Sequence, residues 1–362
     1  MKNKLVIFSL VAGMLMGCNS QKKEMSESKS LYETLKATQQ KGILLGHQDD
    51  LAYGQHWKYV DGESDVKRVS GDYPAVFGWD LGGLERGDAV NLDSVPFDVM
   101  RQLVVKAGLM GGVNTFSWHP YSVVTGENAW FTDSTVVEHI LPNGDFHSEF
   151  VKELDLIADF LLSLKNADGN PIEFVFRPWH EMNGAWFWWG SKTTTPEEYK
   201  QLFRFTVDYL KNKKGLSNML ICYSPNGGYK TKEEYMVWYP GDDMVDMLGV
   251  DIYEWPGMEN WVENTQQNLS VMIEVAKEKN KPAAFTETGC ENLPDSTWFT
   301  QKLYQAMEPD SISSNISYVL LWRNDPKKHH FFSYDGHPSE ADAKQFTSKP
   351  DIWLLEDFNS NK

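Results

Sequence analysis

The chain has 362 residues, 41% hydrophobic and 23% charged, enough for one large domain or two ordinary ones around a substantial core. A formal charge of −17 argues against a nucleic-acid partner, whose phosphates would be repelled, and leaves neutral ligands such as sugars open. Aromatic residues reach 13%, including 14 Trp, a large supply of flat apolar faces.

At the N-terminus, Lys2 and Lys4 precede an apolar run from Leu5 to Met16. The run is too short to span a bilayer comfortably and fits the hydrophobic region of a signal peptide. Leu15-Met16-Gly17-Cys18 resembles a bacterial lipobox, which predicts cleavage before Cys18 and lipidation of its thiol. Residues 1–17 therefore read as a lipoprotein signal peptide, and 18–30 as the lipidated Cys and a flexible polar tether. The expected location is the bacterial cell envelope, with the membrane touched only through the lipid anchor. Lys22-Lys23 without a following acidic run favours a periplasmic orientation over the cell surface. Residues 31–362 read as a single domain, expected to act as a monomer.

Short apolar runs then alternate with longer amphipathic stretches. The runs cover residues 43–48, 73–82, 109–120, 172–181, 218–225, 245–254, 282–289 and 316–324. Continuous apolar runs fit strands buried on both faces of a parallel sheet. Between them, Phe150, Leu154, Ile157, Leu161 and Leu164 form one helical stripe. Thr195-Pro196-Glu197-Glu198 is a helix start, with a hydroxyl cap, proline in the first turn and acids at the positive end of the dipole. Eight strands alternating with helices predict an α/β fold, a (β/α)8 TIM barrel. A doubly wound open sheet is the alternative, but no glycine-rich phosphate fingerprint follows the first run.

Polar and aromatic residues collect at the C-terminal ends of seven runs: His47-Gln48, Trp79-Asp80, Trp118-His119, His180-Glu181, Asp251 with Tyr253, Glu287, and Trp322-Arg323. That end of a barrel carries the chemistry. Residues 121–148 show no helical pattern, and so long a loop is expected to overhang the same face. Its length also predicts a wall across one end of a cleft on that face. Cys222 and Cys290 lie in predicted strands and are expected to be buried free thiols.

The segment Arg177-Pro-Trp-His-Glu-Met-Asn-Gly-Ala-Trp-Phe-Trp-Trp-Gly190 places Glu181 among five aromatic rings. A core would exclude the acid and a surface would hide the rings, so the segment reads as a binding cleft. Glu181 and Glu287 end the fourth and seventh runs. Two carboxylates across a cleft suit glycosidic cleavage, in which one protonates the leaving oxygen and the other attacks or activates water. A zinc-protease reading fails because His-Glu-x-x-His would need His at position 184, which is Gly. His119 and His180 as metal ligands is the lesser alternative, so no metal or cofactor is expected. Trp186, Phe187, Trp188, Trp189, Trp255 and Trp322 offer stacking planes for sugar C–H faces. Alternate members of the 186–189 run are expected to face the cleft, the others packing beneath.

The 177–190 motif, with Thr-Glu-Thr-Gly at 286–289 and Leu-Trp-Arg-Asn at 321–324, resembles glycoside hydrolase family 26, chiefly endo-β-1,4-mannanases. The resemblance runs from about residue 31 to the end. It implies a (β/α)8 barrel and cleavage of mannan, galactomannan or glucomannan with retention, by double displacement. It also implies roles: Glu181 as acid/base and Glu287 as nucleophile. Arg177 would support the nucleophile from below and Tyr253 would bond it. His119 and His180 would line the catalytic subsite, with Trp322 as platform under the reacting mannose. Asp251 and Arg323 would hold the next sugar outward, and Trp186 would contact the aglycone. Another β-glycan, such as xylan or mixed-linkage glucan, is the nearest alternative substrate. A non-catalytic glycan-binding lipoprotein is the alternative from another class.

Overall fold

The computed structural model describes residues 30–362. The signal peptide, Cys18 and nearly all of the tether lie outside the described residues. Eight parallel strands form the barrel: β1 Ile43–Gln48, β2 Val76–Asp80, β3 Val113–Ser117, β4 Phe174–Arg177, β5 Met219–Tyr223, β6 Met247–Glu254, β7 Ala283–Cys290 and β8 Tyr318–Leu321. Each pairs with its sequence neighbour, and β8 pairs with β1 from Leu44↔Tyr318 to His47↔Leu321, closing the sheet. A two-residue strand, Ile352–Trp353, adds beside the start of β1. Seven of the predicted runs contain their whole strand, and the run at 282–289 holds all of its strand but Cys290.

The helices packed around the barrel include α1 Leu31–Thr38, α2 His147–Leu162, α3 Pro196–Asp208 and α4 Trp261–Lys279. The Thr195 hydroxyl caps α3, as the motif predicted, and the Glu198 side chain completes a capping box. The 121–148 connection holds a four-residue helix, Val137–Ile140, which no periodicity could reveal, and α2 starts at His147. Among the described residues no helix is long and apolar enough to cross a membrane.

Strand alternation divides the core in two. Ile43, Leu45, Phe77, Phe116, Phe174, Phe176 and Ile221 pack outward under the helices. Leu44, Val76, Val113, Val175, Cys222, Met247, Ala284, Tyr318 and Leu320 fill the barrel interior, and Leu31 and Leu35 of α1 join them. Cys222 and Cys290 are both buried and free, as expected.

The same period of two aims the functional side chains. Counting by twos from the interior positions reaches Asp80 from Val76, His119 from Val113, Arg177 from Val175, Asp251 and Tyr253 from Met247, and Trp322 from Tyr318. Glu287 is three residues from Ala284 and should point outward. The register corrects this. Val250 pairs with Phe285 but Asp251 pairs with Glu287, and Val319 pairs with Phe285 but Leu321 with Thr288. β7 thus carries one extra residue against both neighbours, a bulge that re-aims Glu287. Thr286, the added residue, is held inside by bonds to the Val250 carbonyl (3.0 Å) and Asp251 Oδ1 (2.6 Å). Gly249 makes room for it, since a Cβ there would stand 2.5 Å from Thr286 Cγ2.

Candidate active site

After β4 the chain turns sharply, with Trp179 at φ 55° and Glu181 at φ 54°. Such conformations are costly for side-chain-bearing residues and persist where surroundings fix them. Here Tyr199 donates to the Trp179 carbonyl (3.1 Å), Trp179 Nε1 donates to Thr206 (3.1 Å), and the Glu181 amide donates to the Ser224 carbonyl (2.9 Å). The turn delivers Glu181 into the mouth of the barrel.

There, one carboxylate oxygen from each of Glu181, Asp251 and Glu287 lies within 4.8 Å of the others. Glu287 is 3% exposed and Glu181 8%. Arg177 Nη2 pairs with Glu287 Oε1, and the Tyr253 hydroxyl donates to Oε2 at 3.0 Å. Arg177 Nη1 donates to Asp251 (3.1 and 2.9 Å) and to the Ser224 hydroxyl (2.9 Å). Glu181 meets no cation in this way; its Oε2 accepts from Trp186 Nε1 at 2.8 Å. Burial first, then the negative Asp251 and Glu287, push the Glu181 carboxyl well above the usual range. One acid is therefore set to hold a proton while the other is held by a guanidinium and a hydroxyl.

Asp251 departs from expectation. It is fully buried, its oxygens are taken by Arg177 and Thr286, and it reaches no cleft. It cannot hold an outer sugar; it anchors the guanidinium that holds Glu287. His180 departs too. It is 1% exposed and its Nε2 faces His119 Nε2 at 3.1 Å, so it stands behind the cleft wall. His119 lines the cleft, with its Nδ1 2.6 Å from Asp80. Burial disfavours the His119 charge, but Asp80 outweighs it and raises His119; burial, then His119 and Arg177, lower His180 strongly. Nδ1 of His119 is engaged by Asp80 and Nε2 by His180, so both of its ring nitrogens are committed. The two histidines thus bond each other directly.

The cleft around the carboxylates is a cavity of about 400 Å³, lined in part by His119, Trp130, Trp186, Phe187, Tyr253 and Trp322. Of the four successive rings, Trp186 and Phe187 face it while Trp188 and Trp189 are buried, so the division is by consecutive pairs. The reason is that the turn is not a strand, and no period of two applies. Trp322 lines the cleft as expected. Arg323 lies at an adjoining cavity of about 370 Å³ and bonds Asp93 (2.9 Å), Asp325 (2.9 Å) and Tyr53 (3.1 Å).

Three residues went unread in the sequence. Trp130, from the long 121–148 loop, stacks on His119 with centroids 5.2 Å apart and planes 12° from parallel. The loop is pinned to the 186–189 turn, since the Trp188 amide donates to Ala129 (3.0 Å) and its indole to Pro120 (3.0 Å). The run Asn128-Ala-Trp-Phe131 was the available signal. Asp80 was noted at a strand end without a role. Ser224, the polar residue ending the fifth run, touches the supports of both acids.

The family model for Glycosyl hydrolase family 26 matches residues 19–306. A mannan endo-1,4-beta-mannosidase of Bifidobacterium adolescentis is 32% identical over 344 residues, covering 89% of this chain and 34% of that protein. The chain thus spans about a third of that relative, and 52% of a Thermothelomyces thermophilus mannan endo-1,4-beta-mannosidase that is 30% identical. Among solved structures, a GH26 beta-mannanase from Bacteroides ovatus is 41% identical with a TM-score of 0.86, covering 90% of this chain and 94% of that one.

Proposed function

The chain belongs to glycosyl hydrolase family 26, and from that membership we propose that it cleaves β-1,4-mannosidic linkages of mannan, galactomannan or glucomannan with retention. The observation that carries the stereochemistry is the carboxylate spacing. Oxygens of Glu181 and Glu287 lie within 4.8 Å. Retaining pairs stand about 5–5.5 Å apart, whereas inverting pairs need roughly 6.5–9.5 Å to admit a water.

Glu287 is the nucleophile in this reading. Its carboxylate attacks the anomeric carbon as the bond to the glycosidic oxygen breaks, and Glu181 gives that oxygen its proton. The glycosyl ester formed on Glu287 removes a negative charge beside Glu181. Glu181, now a carboxylate, takes a proton from water, which attacks the same carbon and frees Glu287. Arg177 and Tyr253 hold Glu287 in line, Trp322 supports the reacting sugar and the His119 ring lines its subsite. Trp130 roofs the glycone side, which supports release of short products such as mannobiose.

The test is reducing-sugar release from mannan, xylan and lichenan, with a product time course from mannohexaose and galactomannan. Glu287→Ala should abolish turnover and still bind manno-oligosaccharide; substantial residual hydrolysis would refute the assignment. We also propose attachment to the envelope through lipidated Cys18, facing the periplasm, supported by the Leu15–Cys18 pattern. Cys18→Ala should release the protein from the membrane fraction; unchanged membrane association would count against it.

A further inference from the structure

We propose that His330 and His337 hold a divalent late transition-metal ion, such as zinc, nickel or copper, through their Nε2 atoms. The inference stands apart from the mannanase reading and uses neither carboxylate of the catalytic pair. Both histidines lie between β8 and the helix Glu340–Thr347, half-buried, with their Nε2 atoms 3.2 Å apart. Imidazole nitrogen is a favoured ligand of these ions. Two nitrogens so separated, each about 2.0–2.1 Å from one ion, subtend roughly 100–105° there, between the octahedral and tetrahedral angles.

The backbone holds both rings in place. His330 exchanges two bonds with Asn292, giving its amide to Oδ1 (3.2 Å) and accepting the Asn292 amide at its carbonyl (2.8 Å). His337 closes a β-turn, its amide donating to the Tyr334 carbonyl (2.9 Å). Gly336 takes φ 82° in the third position of that turn, where a type II turn needs a positive value. The His337 carbonyl then accepts the Glu340 amide (2.9 Å) at the start of the following helix.

The partners of His337 suit a ligand. Its Nδ1 stands 2.8 Å from the Ser339 hydroxyl, which donates onward to Ser333 (3.0 Å). With Nδ1 protonated and donating to Ser339, Nε2 carries the lone pair that a metal needs, and the outer bond orients the ring. In the other tautomer Nδ1 accepts the Ser339 amide (3.2 Å) and Nε2 turns an N–H toward His330. That hydrogen bond is the arrangement the ion replaces. His119 and His180 also meet, at 3.1 Å, but His180 is 1% exposed behind the cleft wall, so water cannot complete a coordination shell there. At His330 and His337 solvent reaches the pair and supplies the remaining ligands.

An ion bound there ties residue 330 to residue 337, closing the segment whose His329 and Phe331 line the catalytic cleft. Because it binds the folded chain in preference to the unfolded one, it raises Tm. The test titrates nickel(II), then zinc(II), into the untagged protein, read by calorimetry and by thermal melts. One ion per chain should bind saturably and raise Tm, and EDTA should reverse the rise. His330→Ala and His337→Gln should each weaken binding by about ten-fold or more, the least that losing even a ligand's outer hydrogen-bond partner costs, and remove the rise in Tm. His139→Ala, at a half-buried histidine paired with Asp145 elsewhere, should bind as the parent does. No saturable binding of either ion below about 1 mM overturns the proposal. So does parent-like affinity in either ligand variant, which would put the ion elsewhere, or an equal loss in His139→Ala. If one ligand variant fails to fold, the other decides.

Discussion

Asp251 stands opposite Glu287 in the β6–β7 register, and both carboxylates accept from the single guanidinium of Arg177. A buried cation shared between two acids is fixed from both sides, so the attacking oxygen is positioned through Asp251 without Asp251 touching substrate. Asp251→Asn should lower kcat by about ten-fold with KM little changed, because an interaction felt only in the transition state is weakened. Arg177→Met should lower kcat by on the order of a hundred-fold or more, the loss expected when a preorganised charge partner is removed. Steady-state kinetics on mannohexaose check both; a large rise in KM for Asp251→Asn would restore the outer-sugar role.

The bond from Trp186 stabilises the charged form of Glu181, against burial and two neighbouring acids. Trp186→Phe keeps a ring and removes the N–H. The Glu181 carboxyl should then titrate still higher, and since cleavage needs it protonated, the alkaline limb of kcat/KM should move to higher pH. A pH profile measures this; a limb displaced downward contradicts it.

The raised Glu181 titration also has a stability signature. Above about pH 4.3, the ordinary unfolded value, the unfolded chain has lost a proton that the native protein keeps. Native stability therefore falls as pH rises through that window, up to the raised native value. Glu181→Gln removes the group, so its Tm relative to the parent should climb between pH 5 and pH 8. Thermal melts across that range decide; a constant offset would mean that Glu181 titrates normally.

Much of this was legible because barrel strands obey a period of two and end on one face. Arg177, Tyr253 and Trp322 reach the cleft by the same counting that buries Val175, Met247 and Tyr318. What was not legible breaks that period or lacks one. The extra residue in β7 is invisible in Ala-Ala-Phe-Thr-Glu-Thr-Gly, yet it decides where Glu287 points. The Trp179–Glu181 turn rests on positive φ values that its residue types do not favour, so the order of rings after it could not be read from alternation. Asp251 was misread because strand-end position shows that a side chain points inward but not whether it stops at the guanidinium beneath. Trp130 lies in a loop without periodicity, where only the short run Asn128-Ala-Trp-Phe131 marks it.

Trp130 ties the long 121–148 loop to the cleft through its stack on His119. Trp130→Ala should raise KM for manno-oligosaccharides about ten-fold, consistent with loss of one aromatic contact. Shortening the loop around it should shift early products toward longer fragments. Chromatography of the first products from mannan checks this, and unchanged early sizes would remove the loop from any part in setting product length.

The central claim is that Glu181 and Glu287 act on one bond from opposite sides at a spacing too short for an intervening water. Proton NMR of the reducing end, followed from the first minute of mannohexaose cleavage, reads this directly. The β anomer should appear first and then mutarotate toward the equilibrium mixture. An initial α anomer would mean that water attacked in a single displacement, and would contradict the account.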